Sequence, residues 1–143
     1  MALKEQTLKS HIRWDPLFHF FLLPVAIFML VDTIVALVRN PGWTTAVHVL
    51  AGLWAVVATF KIRLYALKVQ DRVIRLEERL RLKELSPAFA GKAAQLSENQ
   101  LIGLRFAPDG EVVGLAEKAL AGGWSQKQIK ESIQNWRPDH WRV

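Results

Sequence analysis

Leu30–Leu50 reads LVDTIVALVRNPGWTTAVHVL, two apolar runs meeting at a short turn, with one aspartate inside the first run and one histidine inside the second. Working outward, Pro16–Val38 is PLFHFFLLPVAIFMLVDTIVALV, 23 residues with one formal charge, and Trp43–Phe60 is WTTAVHVLAGLWAVVATF, 18 residues with none. A helix that crosses about 30 Å of hydrocarbon needs roughly 20 mostly apolar residues. The first run meets that length, and the second meets it with the help of Ile62, Leu64 and the flanking aromatic residues. A cleaved signal peptide is the competing reading of the first run. It begins too far in, is too long and lacks a small-residue cleavage site after it.

The expected fold is therefore an all-α membrane protein. A cytoplasmic N-terminal segment (1–15) precedes a two-helix transmembrane hairpin (16–66), whose second helix extends into the cytoplasm as a basic helix (67–86). A small helical C-terminal module (87–143) follows. The 143 residues contain no cysteine, which excludes disulfides, thiolate metal sites and cysteine nucleophiles. Lys4, Lys9 and Arg13 precede the first run, only Arg39 lies in the connection, and fifteen lysines and arginines follow Phe60. Positive residues near helix ends stay on the cytoplasmic side, so both termini are expected there, with Arg39–Gly42 as a tight outer turn. Asp15 before Pro16 is a helix-start pattern. Trp14, Trp43 and Tyr65 fall at headgroup level, and Lys61, Arg63 and Lys68 have stems long enough to snorkel.

Asp32 and His48 each lie about eight residues from the middle of the turn, roughly 12 Å along their helices, so they share a depth in an antiparallel pair. His48 falls in line with Ala51, Gly52, Ala55, Ala58 and Thr59, a small-residue stripe of the kind that lets helices approach closely in lipid. An unpaired aspartate at that depth costs about 2.5–3.5 kcal/mol, so a partner is expected. His48 is the nearest candidate, with Thr33, Thr44 and Thr45 as further donors. Structural glue, proton or ion handling, and contact with a partner subunit are the three readings of the pair. His19 is thirteen residues from Asp32, about 220° around an ideal helix, and reads as an interfacial side chain.

After Tyr65 the chain continues ALKVQDRVIRLEERLRLKEL with no glycine or proline until Pro87, so the second apolar helix is expected to run on to about Ser86. Val69, Val73, Leu76 and Leu80 recur as a narrow apolar seam of the coiled-coil kind. Lys68, Arg72, Arg75, Arg79 and Lys83 form a basic stripe beside it, and Asp71 with Arg75 and Glu77 with Arg81 are helix-supporting pairs. A net charge of +6 and a pI near 10.0 invite a nucleic-acid reading. Interleaved acids and the adjacent membrane favour anionic lipid headgroups instead. The seam is expected either to pack on the C-terminal helices or to join an oligomer.

In the tail, SENQ (Ser97–Gln100) and SQKQ (Ser125–Gln128) match the capping-box pattern. Asp109 is a candidate cap for a helix over about 111–121, which Gly122 and Gly123 stop. Leu101, Leu104, Phe106, Val113, Leu115, Leu120, Trp124, Ile129, Ile133 and Trp136 are the expected core. About 57 residues are marginal as a free-standing domain, so they are expected to dock on the long helix or on a neighbour. Asp109-Gly110 is turn and cap chemistry, and no motif places a nucleophile beside Asp139-His140.

The segments HIRWDPLFHFFLLP, RLYALKVQDRVIRLEERLRL, QLIGLRFAPDGE and IKESIQNWRPDHWRV together resemble a family of bacterial two-helix membrane proteins grouped as a domain of unknown function. The resemblance covers nearly the whole chain, and QDRVIRLEERLRL and LRFAPDGE carry it most specifically. It implies a bacterial cytoplasmic membrane location and no particular activity. Its motif residues here are Gln70, Asp71, Arg72, Arg75, Glu77, Arg79, Arg105, Phe106, Asp109, Trp136, Arg137 and Asp139, most of them beyond the hairpin.

The leading expectation is a non-enzymatic scaffold or small accessory subunit, with a protein partner or self-association and no nucleic acid or cofactor. Lys68, Arg72, Arg75, Arg79, Lys83 and Arg105 are expected to meet acidic partners, lipid headgroups or the tail's own carboxylates. An oligomeric channel or proton-conducting element using Asp32 and His48 is the second reading. A subunit binding pigment or haem through His19 or His48 is the third.

Overall fold

A computed structural model describes residues 7–8 and 14–139. Lys4, Lys9 and Arg13, which bear on the orientation, and His140 lie outside the described residues. All regular structure among the described residues is helical. A π-helical turn (Phe18–Leu22) leads into α1 (Leu23–Arg39), and α2 (Trp43–Leu85) is one helix of 43 residues. A 3-10 turn (Pro87–Phe89), α3 (Ala90–Ala93), α4 (Glu98–Leu104), α5 (Asp109–Gly122) and α6 (Gln126–Ser132) follow. Among the described residues the chain forms two compact units, 14–67 and 68–139, the second taking in 7–8.

In the unit of residues 14–67, the Asp15 carboxylate accepts from the Phe18 amide at 3.2 Å, the cap expected before Pro16. The π-helical turn was not legible in the sequence. Pro24 has no N–H, and its ring crowds the carbonyl four residues back. The backbone before it widens accordingly, and the Leu23 amide donates to the Phe18 carbonyl. Phe18–Arg39 and Trp43–Leu85 are long and apolar enough to cross a membrane, and only 6% of each apolar window is buried. Contacts at both ends and the middle join the two segments. Arg63 pairs with Asp15 at 3.1 Å, Phe18 meets Phe60 edge-on at 6.2 Å, and Gly52 lies against Leu30 and Thr33. A Cβ on Gly52 would come within 3.1 Å of the Leu30 Cα, which is why a glycine stands there. At the turn, the Thr45 hydroxyl donates to the Asn40 and Gly42 carbonyls at 3.0 and 2.9 Å.

In the other unit, both capping boxes form as the sequence predicts, Ser97 with Gln100 and Ser125 with Gln128. Gly123 ends α5 at φ +60°, the left-handed position that only glycine enters without strain. The core joins Leu82 of α2 to Phe89, Leu96, Leu101, Leu104, Phe106, Val112, Ala116, Ala119 and Ile129, with Val113, Leu120, Trp124 and Trp136 packed against it. The module thus docks on the last turns of α2. Asp109 is not the cap of α5, which Pro108 precedes without a side-chain bond. Its carboxylate is drawn instead to Arg81.

The expected seam does not make this contact. Ile74, Glu78 and Leu82 are buried, while Val69, Val73, Leu76 and Leu80 stay 61, 48, 60 and 51% exposed. Packing selected a stripe with a carboxylate in its middle over the purely apolar one.

Candidate functional site

The module's charged groups gather where the end of α2 meets the α4–α5 connection and the C-terminal tail. Glu78 is buried among apolar neighbours at 4% exposure, and it has a cation beside it. Arg81, one turn on, donates from Nη1 to Glu78 Oε2 at 3.0 Å, from Nε to Asp109 Oδ1 at 2.7 Å and from Nη2 to the Ala107 carbonyl at 2.7 Å. One guanidinium thus ties α2 to the start of α5, using the fixed donor fork that distinguishes arginine from lysine. Burial pushes the Glu78 carboxyl above its ordinary range, opposed by Arg81 and, more weakly, by Arg137. Arg137 approaches the other Glu78 oxygen at 3.9 Å.

The tail closes over the same region. The Arg137 amide donates to the Phe106 carbonyl at 2.8 Å, and Trp136 packs on the Phe106 ring at 5.0 Å. Arg105 lies over that ring at 4.5 Å and pairs with Asp139 at 3.5 Å. Glu111 accepts from the Gln134 amide at 3.0 Å and from the Asn135 amide and side chain at 3.1 and 2.8 Å. Desolvation raises the Glu111 carboxyl, but these three hydrogen bonds together outweigh it and hold the group below its ordinary value. Buried Gln100 donates to the Ala119 and Trp124 carbonyls, both at 3.1 Å, and so satisfies the C-terminal end of α5. Among the described residues no group of three or more His, Asp or Glu side chains is arranged to hold a metal ion.

The structure brings together many of the residues singled out in the sequence. Arg105, Phe106, Asp109, Trp136, Arg137 and Asp139 converge, and Arg105 meets the tail's own carboxylate. At 9% exposure Arg105 is buried in the module. Arg75 donates to the Asp71 backbone carbonyl at 3.2 Å and pairs with Glu98, so the expected Asp71–Arg75 side-chain pair gives way to a local backbone bond and one long-range ion pair. Arg81 pairs with Glu78 and not with Glu77. Lys68, Arg72, Arg79 and Lys83 remain exposed. Glu78 and Arg81 were missed as site residues. Their three-residue spacing was visible, but it could not show that Glu78 is buried and Arg81 half-buried beside it.

Asp32 and His48 are not brought together. Both are exposed, and among the described residues no hydrogen bond links them. The contacts Asp15–Arg63 and Leu30–Gly52 put them at nearly matching positions along their helices. Their faces differ. At about 100° per residue, Asp32 points well away from the stripe containing Ala26, Leu30 and Thr33 that faces α2. Of the small-residue stripe, Gly52 is buried, Ala55, Ala58 and Thr59 are half-buried, and His48 and Ala51 are exposed. His19 donates from Nδ1 to the Asp15 carbonyl at 2.8 Å and meets the Trp14 ring edge-on at 4.8 Å.

These features define an all-helical protein with two apolar helices of membrane-crossing length and a compact, ion-pair-clasped helical module. The chain belongs to the family of unknown function DUF6526, whose model matches residues 1–143. No curated protein and no solved structure matches it.

Proposed function

We propose that the chain is an integral membrane protein of the bacterial cytoplasmic membrane, a helical hairpin that holds a basic helical module at the inner surface as a scaffold or small accessory subunit, without catalysis. One observation carries the reading: only 6% of each apolar window is buried, and most large apolar side chains of both helices stay exposed as a broad apolar surface. At roughly 25 cal/mol per Å², water is a poor solvent for such a surface, and lipid is a good one. The contacts Asp15–Arg63, Phe18–Phe60 and Leu30–Gly52 support an antiparallel hairpin. The excess of lysine and arginine after Phe60 supports cytoplasmic termini.

The charge cluster of the module reads as a latch. Its arginines and carboxylates pair with one another and tie the tail, α5 and α2 together, whereas Lys68, Arg72, Arg79 and Lys83 stay on the surface for anionic headgroups or acidic partners. The test is extraction of host membranes with alkaline carbonate, followed by flotation in a density gradient. The protein is expected to stay with the lipid. Release into the supernatant would remove the membrane reading.

A further inference from the structure

The exposed side of α2 has a pattern that a second copy of the chain completes. Val69, Val73, Leu76 and Leu80 lie on the side of the helix roughly opposite Ile74, Glu78 and Leu82, which are buried in the module. Their spacings of four, three and four place Val73 and Leu80 at a and Val69 and Leu76 at d of a heptad. The register then sets the flanks. Arg72 and Arg79 fall at g, Glu77 and Glu84 at e.

In a parallel pair of helices, g of one chain meets the e position five residues further along the other. Arg72 would meet the partner's Glu77, and Arg79 the partner's Glu84, and twofold symmetry makes each pair twice. In an antiparallel pair g faces g and e faces e, which sets arginine against arginine and glutamate against glutamate. Charge alone therefore selects one orientation. All four side chains are exposed, and none takes part in the module's ion pairs among the described residues.

The geometry points to a parallel homodimer in which the Val69–Leu80 face of α2 packs on the same face of a second copy, in register, with Arg72–Glu77 and Arg79–Glu84 pairs across the seam. Lys83, at the next d position, ends the apolar run. Two heptads are short for free peptides, but here the helix is already formed by its packing on the module. The inference rests on the membrane reading only for two aids: insertion in one direction keeps copies parallel, and confinement to a surface raises their effective concentration.

Because the chain has no cysteine, single cysteines test the contact in the full-length protein in host membranes. Val69→Cys and Leu80→Cys are each expected to cross-link to themselves with a short bis-maleimide, while exposed Lys118→Cys on α5 gives no dimer. Reversing Arg72→Glu and Arg79→Glu together should lower the yield on the order of tenfold, four attractive pairs becoming repulsive. Adding Glu77→Arg and Glu84→Arg should restore it. Absence of self-cross-links at both positions, cross-links only between position 69 of one chain and position 80 of another, or a yield unmoved by charge reversal would overturn the dimer. Carbonate extraction of the same membranes reads the membrane assignment separately, so failure of one is not mistaken for failure of the other.

Discussion

Phe28 and Phe106 are the same side chain in opposite circumstances, 71% exposed in α1 and fully buried in the module. Leu50 and Leu104 repeat the contrast at 66% and 0%. The module, although small, finds an apolar environment in its own helices, chiefly α4, α5, α6 and the end of α2. The segments before Phe60 have too few partners of their own, because two helices in contact cover one stripe each. Polar groups follow the same division. In the module, the buried carboxylate of Glu78 is paired with half-buried Arg81, as a buried charge must be in a poor dielectric. In the other unit, Asp32 stands on an exposed face with no hydrogen bond to His48.

The contrast breaks first at the two phenylalanines. Phe106→Ala should cost about 3–5 kcal/mol of module stability, whereas Phe28→Ala should stay within about 0.5 kcal/mol. Denaturation followed by tryptophan fluorescence in detergent measures both, and comparable costs would erase the distinction. Next comes the latch. Arg81→Met leaves Glu78 buried without its nearest cation and should cost on the order of 3 kcal/mol, much of it recovered in the double variant Arg81→Met with Glu78→Met. The same unfolding assay, run as a double-mutant cycle, reads the coupling.

Gly52→Leu should cost about 1–3 kcal/mol of overpacking, because its side chain has to enter the space held by Leu30 and Thr33. Spin labels at Val31→Cys and Leu50→Cys should then report a longer, broader distance between the helices. The smallest effect is at the tail. Glu111→Gln should cost about 1 kcal/mol near neutral pH through weakened hydrogen bonds. The folded-state pKa of Glu111 is lowered, so its ionised form stabilises the fold above the ordinary carboxylate pKa. That contribution is lost as pH falls through the lowered value. Parent and variant should therefore converge in acid, as unfolding curves at the two pH values will show.

What the sequence disclosed was mostly local. The apolar runs, the unbroken path of α2, the two capping boxes and the Gly122-Gly123 stop each depend on neighbours within a few residues. What it hid required distant partners. Asp109 looked like a cap until an arginine 28 residues earlier competed for it. The seam, all apolar, stood open to packing on the C-terminal helices or to an oligomer, and the face that packs within the chain instead contains Glu78, paired with Arg81. Counting residues from the turn set Asp32 and His48 at equal distances along their helices, but it could not show which way each side chain faces, which is set by the close approach at Gly52. The convergence of Arg105, Phe106, Trp136 and Asp139 was present only as separate motif residues.

Labelling single cysteines with a water-soluble, membrane-impermeant maleimide tests the division most directly. Gly42 and Gly91 accept a side chain without a clash, and Phe28 and Trp54 are both 71% exposed. The account predicts that Gly42→Cys labels in intact spheroplasts and Gly91→Cys only after the membrane is opened, while Phe28→Cys and Trp54→Cys resist the reagent in both cases. Rapid labelling of Phe28→Cys and Trp54→Cys from the aqueous phase would contradict it, because those faces would then lie in water.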